Sequence, residues 1–144
     1  MDEPSYKKQL PRGIRNNNPL NIRKGNNWQG EVNVSTDKEF EQFISMEFGI
    51  RAGMKILRNY MTGRDGKYEP KDTIDKIIRR WAPPIENATE AYIQYVSDST
   101  GLNRYQKLNP FDRATMCGLV SAMIKVECGQ TVDMAVIQSA YDLL

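Results

Sequence analysis

The stretch Asp112-Arg-Ala-Thr-Met116-Cys-Gly-Leu119-Val120-Ser-Ala-Met123-Ile-Lys125-Val-Glu127-Cys128-Gly129 reads as one helix. It opens at about Asp112, just after Asn109-Pro110, and Gly129 ends it. At 100° per residue, Met116, Leu119, Val120, Met123 and Glu127 fall in one apolar stripe, while Lys125 points the opposite way. A carboxylate ending an apolar stripe is expected to lose solvent. Desolvation raises its pKa, and a carboxyl that keeps its proton near neutrality is equipped to act as a general acid. A buried glutamate paired with an arginine, or one escaping to solvent at the helix end, fits the same pattern.

Working outward, the remaining sequence is helical on one side and irregular on the other. Ser45 caps a helix to about Met61, with Ile50, Met54, Leu57 and Met61 on one face. Asp72 or Thr73 opens a second, in which Ile74, Ile77, Ile78 and Trp81 follow the i, i+3, i+4, i+7 spacing until Pro83-Pro84. Asn87 with Glu90 forms a capping box for a third, with Ala91, Tyr92, Tyr95 and Val96 as its apolar face. A last helix runs from about Val132. Residues 1–13 read as a polar lead-in, and 14–144 as a single domain. Asn16-Asn17-Asn18-Pro19 reads as a turn. Trp28–Val34 and Phe40–Ile44 pair as a small hairpin closed by Ser35–Lys38. The class is mainly α, with a small β appendage (α+β).

Composition narrows the chemistry. The chain has 144 residues, 20 Lys plus Arg against 18 Asp plus Glu, and no histidine. A Ser-His-Asp triad, a Cys-His peptidase and a His-ligated zinc hydrolase are excluded together. Acid–base work falls to carboxylates, with no metal and no cofactor expected. A net charge of +2 does not point to nucleic acid. Cys117 and Cys128 read as small core residues. With no apolar leader and no membrane-length apolar run, the expectation is synthesis in the cytoplasm and no membrane partner. A monomer is expected.

Besides Glu127, Glu47 borders the apolar face of its helix, although a first-turn carboxylate also suits the helix dipole. Asp37 sits in the predicted turn, as a turn residue or a second catalytic carboxylate. Trp28 beside Asn26, Asn27 and Gln29 has the ring-plus-amide chemistry that sugars require, and Trp81 and Tyr92 offer further rings or serve as core.

These segments resemble known enzymes. Ser45-Met-Glu-Phe-Gly-Ile-Arg-Ala-Gly-Met-Lys-Ile-Leu-Arg-Asn-Tyr60 resembles the NI-x-x-G-x-x-Y-L helix of lytic transglycosylases. Pro84-Ile-Glu-Asn-Ala-Thr-Glu-Ala-Tyr92-Ile-Gln-Tyr-Val96 is similar to their P-x-x-E-T-x-x-Y-V-x-x-V segment. Asn17-Asn18-Pro19-Leu20-Asn21-Ile22, followed by Trp28 and Gly30, resembles the N-N-x-F-G-I-K…W-x-G region of autolysin glucosaminidases. Arg12-Gly-Ile-Arg-Asn-Asn-Asn-Pro19 and Trp81-Ala-Pro-Pro84 are similar to segments of small phage and prophage virion proteins. In those enzymes the helix bearing the catalytic Glu comes first; here its counterpart, Ala122–Gly129, comes near the end.

The resemblance implies a circularly permuted lysozyme-like fold and a peptidoglycan-cleaving glycosidase of phage origin, a lytic transglycosylase or a muramidase. It would cut between N-acetylmuramic acid and N-acetylglucosamine. Glu127 would be the acid and then the base. Glu47 or Asp37 would be the second carboxylate that a hydrolase needs. Tyr92 would orient the substrate, and Asn17, Asn18, Asn21, Trp28 and Trp81 would line the sugar cleft. The partner would be peptidoglycan glycan strands, reached after lysis, injection or export. A non-catalytic virion or binding module on the same fold is the alternative, and an injected antibacterial toxin is a third.

Overall fold

The Asp112 side chain accepts a hydrogen bond from Thr115 N at 3.0 Å, and the helix it caps runs Arg113–Cys128 before Gly129 turns left-handed at φ 74°. The computed structural model describes residues 10–66, 69–83 and 88–144. In chain order the described helices are α1 (Arg12–Arg15), α2 (Met46–Met61), α3 (Ile74–Trp81), α4 (Thr89–Thr100), α5 (Arg113–Cys128) and α6 (Met134–Asp142). The protein is mainly α-helical. Among the described residues no helix is long and apolar enough to cross a membrane.

Caps set most boundaries where the sequence places them. Ser45 accepts from Phe48 N, and Thr73, rather than Asp72, accepts from Lys76 N. α5 is the spine of the core: Met116, Leu119, Val120 and Met123 are fully buried. α4 and α6 pack against it, and α2 packs against α6, α3 and α5. Burial of this apolar surface, at roughly 25 cal/mol per Å², is what holds the layers together.

Some expectations are corrected. α1 is a helical turn within and beyond the expected lead-in. It forms because the Pro11 carbonyl accepts Arg15 N at 3.0 Å, so proline starts the turn instead of preventing it. In α4 the buried face is Tyr92, Ile93 and Val96, whereas Ala91 and Tyr95 are exposed. The expected cap Asn87 lies outside the described residues. The capping box therefore lies outside the described residues too; the Glu90 carboxylate binds Arg104 and Arg79, in a network with Asp75 that ties α3 to α4.

The expected hairpin is reduced to two antiparallel bridges, Glu31 with Phe43 and Arg23 with Phe40. Val32 N donates to Gln42 O, and Glu41 N donates to Ile22 O. Residues 40–43 therefore lie between two neighbours, 22–24 and 30–32, where the sequence reading has one.

The segment 16–22 is seated directly on α2. A Cβ on Gly49 would fall 1.7 Å from the Asn17 carbonyl oxygen, and one on Gly53 would fall 2.2 Å from Leu20 Cδ1. Two glycines one helical turn apart thus let the loop backbone touch the helix. This contact brings Asn21 to the end of α5.

Candidate functional site

Glu127 stands in the last turn of α5, beyond the apolar stripe, where the ends of three elements meet. Trp81, the last residue of α3, donates Nε1–H to Glu127 Oε2 at 3.3 Å. Asn21 donates Nδ2–H to the Glu127 backbone carbonyl at 3.1 Å, satisfying a carbonyl that the helix end leaves open. Asn21 holds φ at 54°, a left-handed geometry that asparagine tolerates. Tyr92, from the first turn of α4, directs its hydroxyl at the same carboxyl, yet that buried hydroxyl has no aligned hydrogen-bond partner. Thr89 Oγ1 donates to Ala82 O at 2.6 Å and fixes the start of α4 against the end of α3.

This setting sets the acidity. Burial pushes the Glu127 carboxyl above its ordinary pKa, while the neighbouring Tyr92 hydroxyl, Trp81 N–H and Asn21 amide act in the opposite direction. Burial, followed by the nearby Glu127 charge, pushes the Tyr92 hydroxyl up as well, so it stays a proton donor. Among the described residues Glu127 forms no ion pair.

Two hollows meet at Glu127, and a third shares part of its lining with the first. The first, about 450 Å³, is lined by Glu127, Asn21, Arg23, Asn26, Phe40, Tyr60 and Trp81, among others. The second, about 450 Å³, shares Glu127 and adds Ala91, Tyr92, Tyr95 and Val126. The third, about 350 Å³, shares Asn26, Ile56 and Tyr60 with the first and adds Trp28, Asn59, Asp65 and Arg80. Through these shared residues the three hollows form one run, a groove lined by rings and amides, with Glu127 where the first two meet. Tyr60 and Trp81 meet edge to face, with centroids 6.4 Å apart.

Glu127, Asn21, Trp28, Trp81 and Tyr92 all lie along this groove. Four other expected site residues lie elsewhere. Asp37 is buried and accepts from Arg12 Nε and Nη2, Asn16 Nδ2, and the backbone N–H groups of Glu39 and Phe40. These bonds hold its carboxyl well below the usual range, the Arg12 bond most of all. It stabilises a turn, and lines a separate hollow with Arg12 and Arg15. Glu47 sits in the first turn of α2 and lines none of the three hollows. Asn18 is fully buried: its Nδ2 donates to Ile22 O and Glu41 O, and its Oδ1 accepts Ile22 N. Asn17 clips Phe43 O at 3.0 Å. Both asparagines are loop clips because their side chains imitate a strand's pairing where the chain has no strand.

Sequence reasoning misses Arg23, Asn59 and Arg80. Arg80 carries one available signal: it precedes Trp81, and consecutive helical residues diverge by 100°, so Arg79 and Arg80 cannot share a face.

Fold and site together define a mainly α-helical domain in which α5 ends in a half-buried glutamate where two hollows meet. No family model matches the chain. It is 45% identical over 130 residues to Protein P5 of Pseudoalteromonas phage PM2, a match spanning 88% of this chain and 76% of the relative. The chain belongs to the family of that bacteriophage protein.

Proposed function

We propose that the protein is a phage peptidoglycan glycosidase of the lytic transglycosylase type, built on a circularly permuted lysozyme-like fold. The observation that carries this reading is Glu127: a carboxyl with raised pKa, free of any described ion pair, at the inner junction of a groove lined by rings and amides. The bond from Asn21 to Glu127 supports the permutation, because it joins the 17–22 segment to the acid helix across 106 residues.

The chemistry follows from the groups present. Protonated Glu127 donates to the glycosidic oxygen as that bond breaks, leaving positive charge shared between C1 and the ring oxygen of the muramyl residue. The resulting carboxylate then takes the proton from the muramyl 6-hydroxyl as its oxygen bonds to C1. Glu127 ends protonated, the leaving glucosamine has gained one proton, and no water is consumed. The Tyr92 hydroxyl beside the carboxyl steadies its charged stage. Trp28, Tyr60 and Trp81 offer faces to sugar rings, and Asn26 and Asn59 offer amides to acetamido groups.

The transglycosylase is favoured over the hydrolase by the lining. A hydrolase places a second carboxylate about 5–9 Å from the acid. Among the described residues that line the three hollows, the other carboxylate is Asp65, which is taken by Lys71 and Arg80. The partner is the glycan strand of the cell wall, reached by delivery with the virion or at lysis.

The test is muropeptide release from purified peptidoglycan by wild type and Glu127→Gln at equal folded concentration. The expected result is 1,6-anhydromuramyl ends from wild type and a loss of about 10²–10⁴-fold in the variant. Reducing ends would shift the reading to a hydrolase. An undiminished variant removes Glu127 from the chemistry, and inactivity of folded wild type favours a non-catalytic glycan-binding or virion role.

A further inference from the structure

We infer that Arg80 forms a carboxylate-binding subsite at the Trp28 end of the groove, which takes an acidic branch of the glycan; this rests on the glycan reading above. Arg80 is the neighbour of Trp81, but the two side chains leave α3 in different directions: Trp81 meets Glu127, and Arg80 lines the third hollow with Trp28 and Asn59. Arg79 turns instead to Asp75 and Glu90, so the third hollow is served by Arg80.

The Arg80 guanidinium is held on two sides. Its Nε donates to Asp65 Oδ2 at 3.2 Å, and its Cζ lies over the Tyr60 ring, 5.0 Å from the centroid. The Asp65 side chain is itself buried and also faces Lys71 Nζ at 3.3 Å, so its carboxylate is shared between two cations. The Arg80 Nη atoms make no bond within the described residues, and the side chain remains 38% exposed. A guanidinium fixed through Nε with a free Nη edge is pre-organised for an incoming planar anion.

A neutral sugar makes poor use of that edge. The glycan of the cell wall carries carboxylates on a branch of alternate sugars: the lactyl acid itself, or the stem peptide attached to it. The subsite therefore selects muramyl-containing strands over a neutral polymer of N-acetylglucosamine.

The test uses equilibrium binding in the Glu127→Gln protein, so that no bond is cleaved, with three probes: chitohexaose, glycan strands stripped of peptide, and peptide-bearing strands. Arg80→Gln is expected to weaken the carboxylate-bearing strands about tenfold, the size of one charge-assisted contact, and chitohexaose less than twofold. Arg80→Lys, which keeps the charge and the Asp65 pair, recovers part of the loss and controls for folding alongside a melting curve. Loss on the stripped strands alone assigns the free lactyl carboxylate, which the peptide-bearing strands carry as an amide; loss on peptide-bearing strands alone assigns the peptide carboxylates; loss on both shows that the subsite takes either. Equal weakening of chitohexaose, or no change on any probe, overturns the subsite while leaving the glycan reading in place. Failure of all three probes to bind the parent protein removes both.

Discussion

Trp81 Nε1 donates to Glu127 Oε2 at 3.3 Å, joining the last residue of α3 to the last turn of α5. The bond favours the ionised carboxyl and works against the burial that raises its pKa. The raised pKa that suits a proton donor is thus a balance between two opposing local effects.

Trp81→Phe keeps a ring in the groove and removes the donor. Without it the Glu127 pKa rises further, so on the proposed glycosidase reading the alkaline limb of the pH profile moves to higher pH. The rate at the optimum falls about tenfold as the carboxyl loses its fixed orientation. A pH–rate profile of muropeptide release checks both; an unmoved limb would show that the bond does not set the acidity.

Asp37→Asn separates turn stability from chemistry. The folded Asp37 pKa is depressed below its ordinary 3.8, so its stabilisation is present above that pH and is lost as the pH falls. Wild-type melting temperature is expected to drop below about pH 4. The variant starts several degrees lower and shows a weaker drop, while its cleavage rate stays within twofold of wild type.

Glu41 gives the opposite sign. It is buried at 5% exposure with one carboxyl oxygen unpartnered, and burial, then the neighbouring Glu31, pushes its pKa up to about 7. Lys24 acts against them. A raised folded pKa contributes stability that is present below the ordinary 4.5 and lost as the pH climbs through about 7. Melting curves from pH 4 to 8 should show that loss in wild type. Glu41→Gln should be flatter across this window and more stable than wild type at pH 8.

Gly49→Ala tests the seat of the 16–22 segment. The new Cβ would sit 1.7 Å from a backbone oxygen, which no rotamer change relieves, so a loss above about 3 kcal/mol is expected. Gly118→Ala, in the middle of α5 with nothing within 4 Å of the new carbon, should gain about 0.5–1 kcal/mol from helix propensity. Chemical denaturation of the pair compares a glycine kept for space with one that is not.

The helices were legible because their signals are local. Ser45, Thr73 and Asp112 each cap through a hydrogen bond to an N–H three residues on, and Gly129 takes the left-handed stop that only local sterics demand. The phase of α5 singled out Glu127 by the same arithmetic. The region 16–44 was much less legible. Its order comes from side chains of Asn17, Asn18 and Asp37 bonded to backbone 2–26 residues away, in a pattern with no period.

By itself, then, the sequence determined a mainly α chain, the absence of histidine chemistry and one glutamate on the wrong side of a helix, since periodicity and capping act within one or two turns. Tertiary structure alone decided which polar residues share that glutamate's groove. It took Asp37, Asn17 and Asn18 into the scaffold and set Arg80 beside Trp28, because such meetings depend on how distant elements pack.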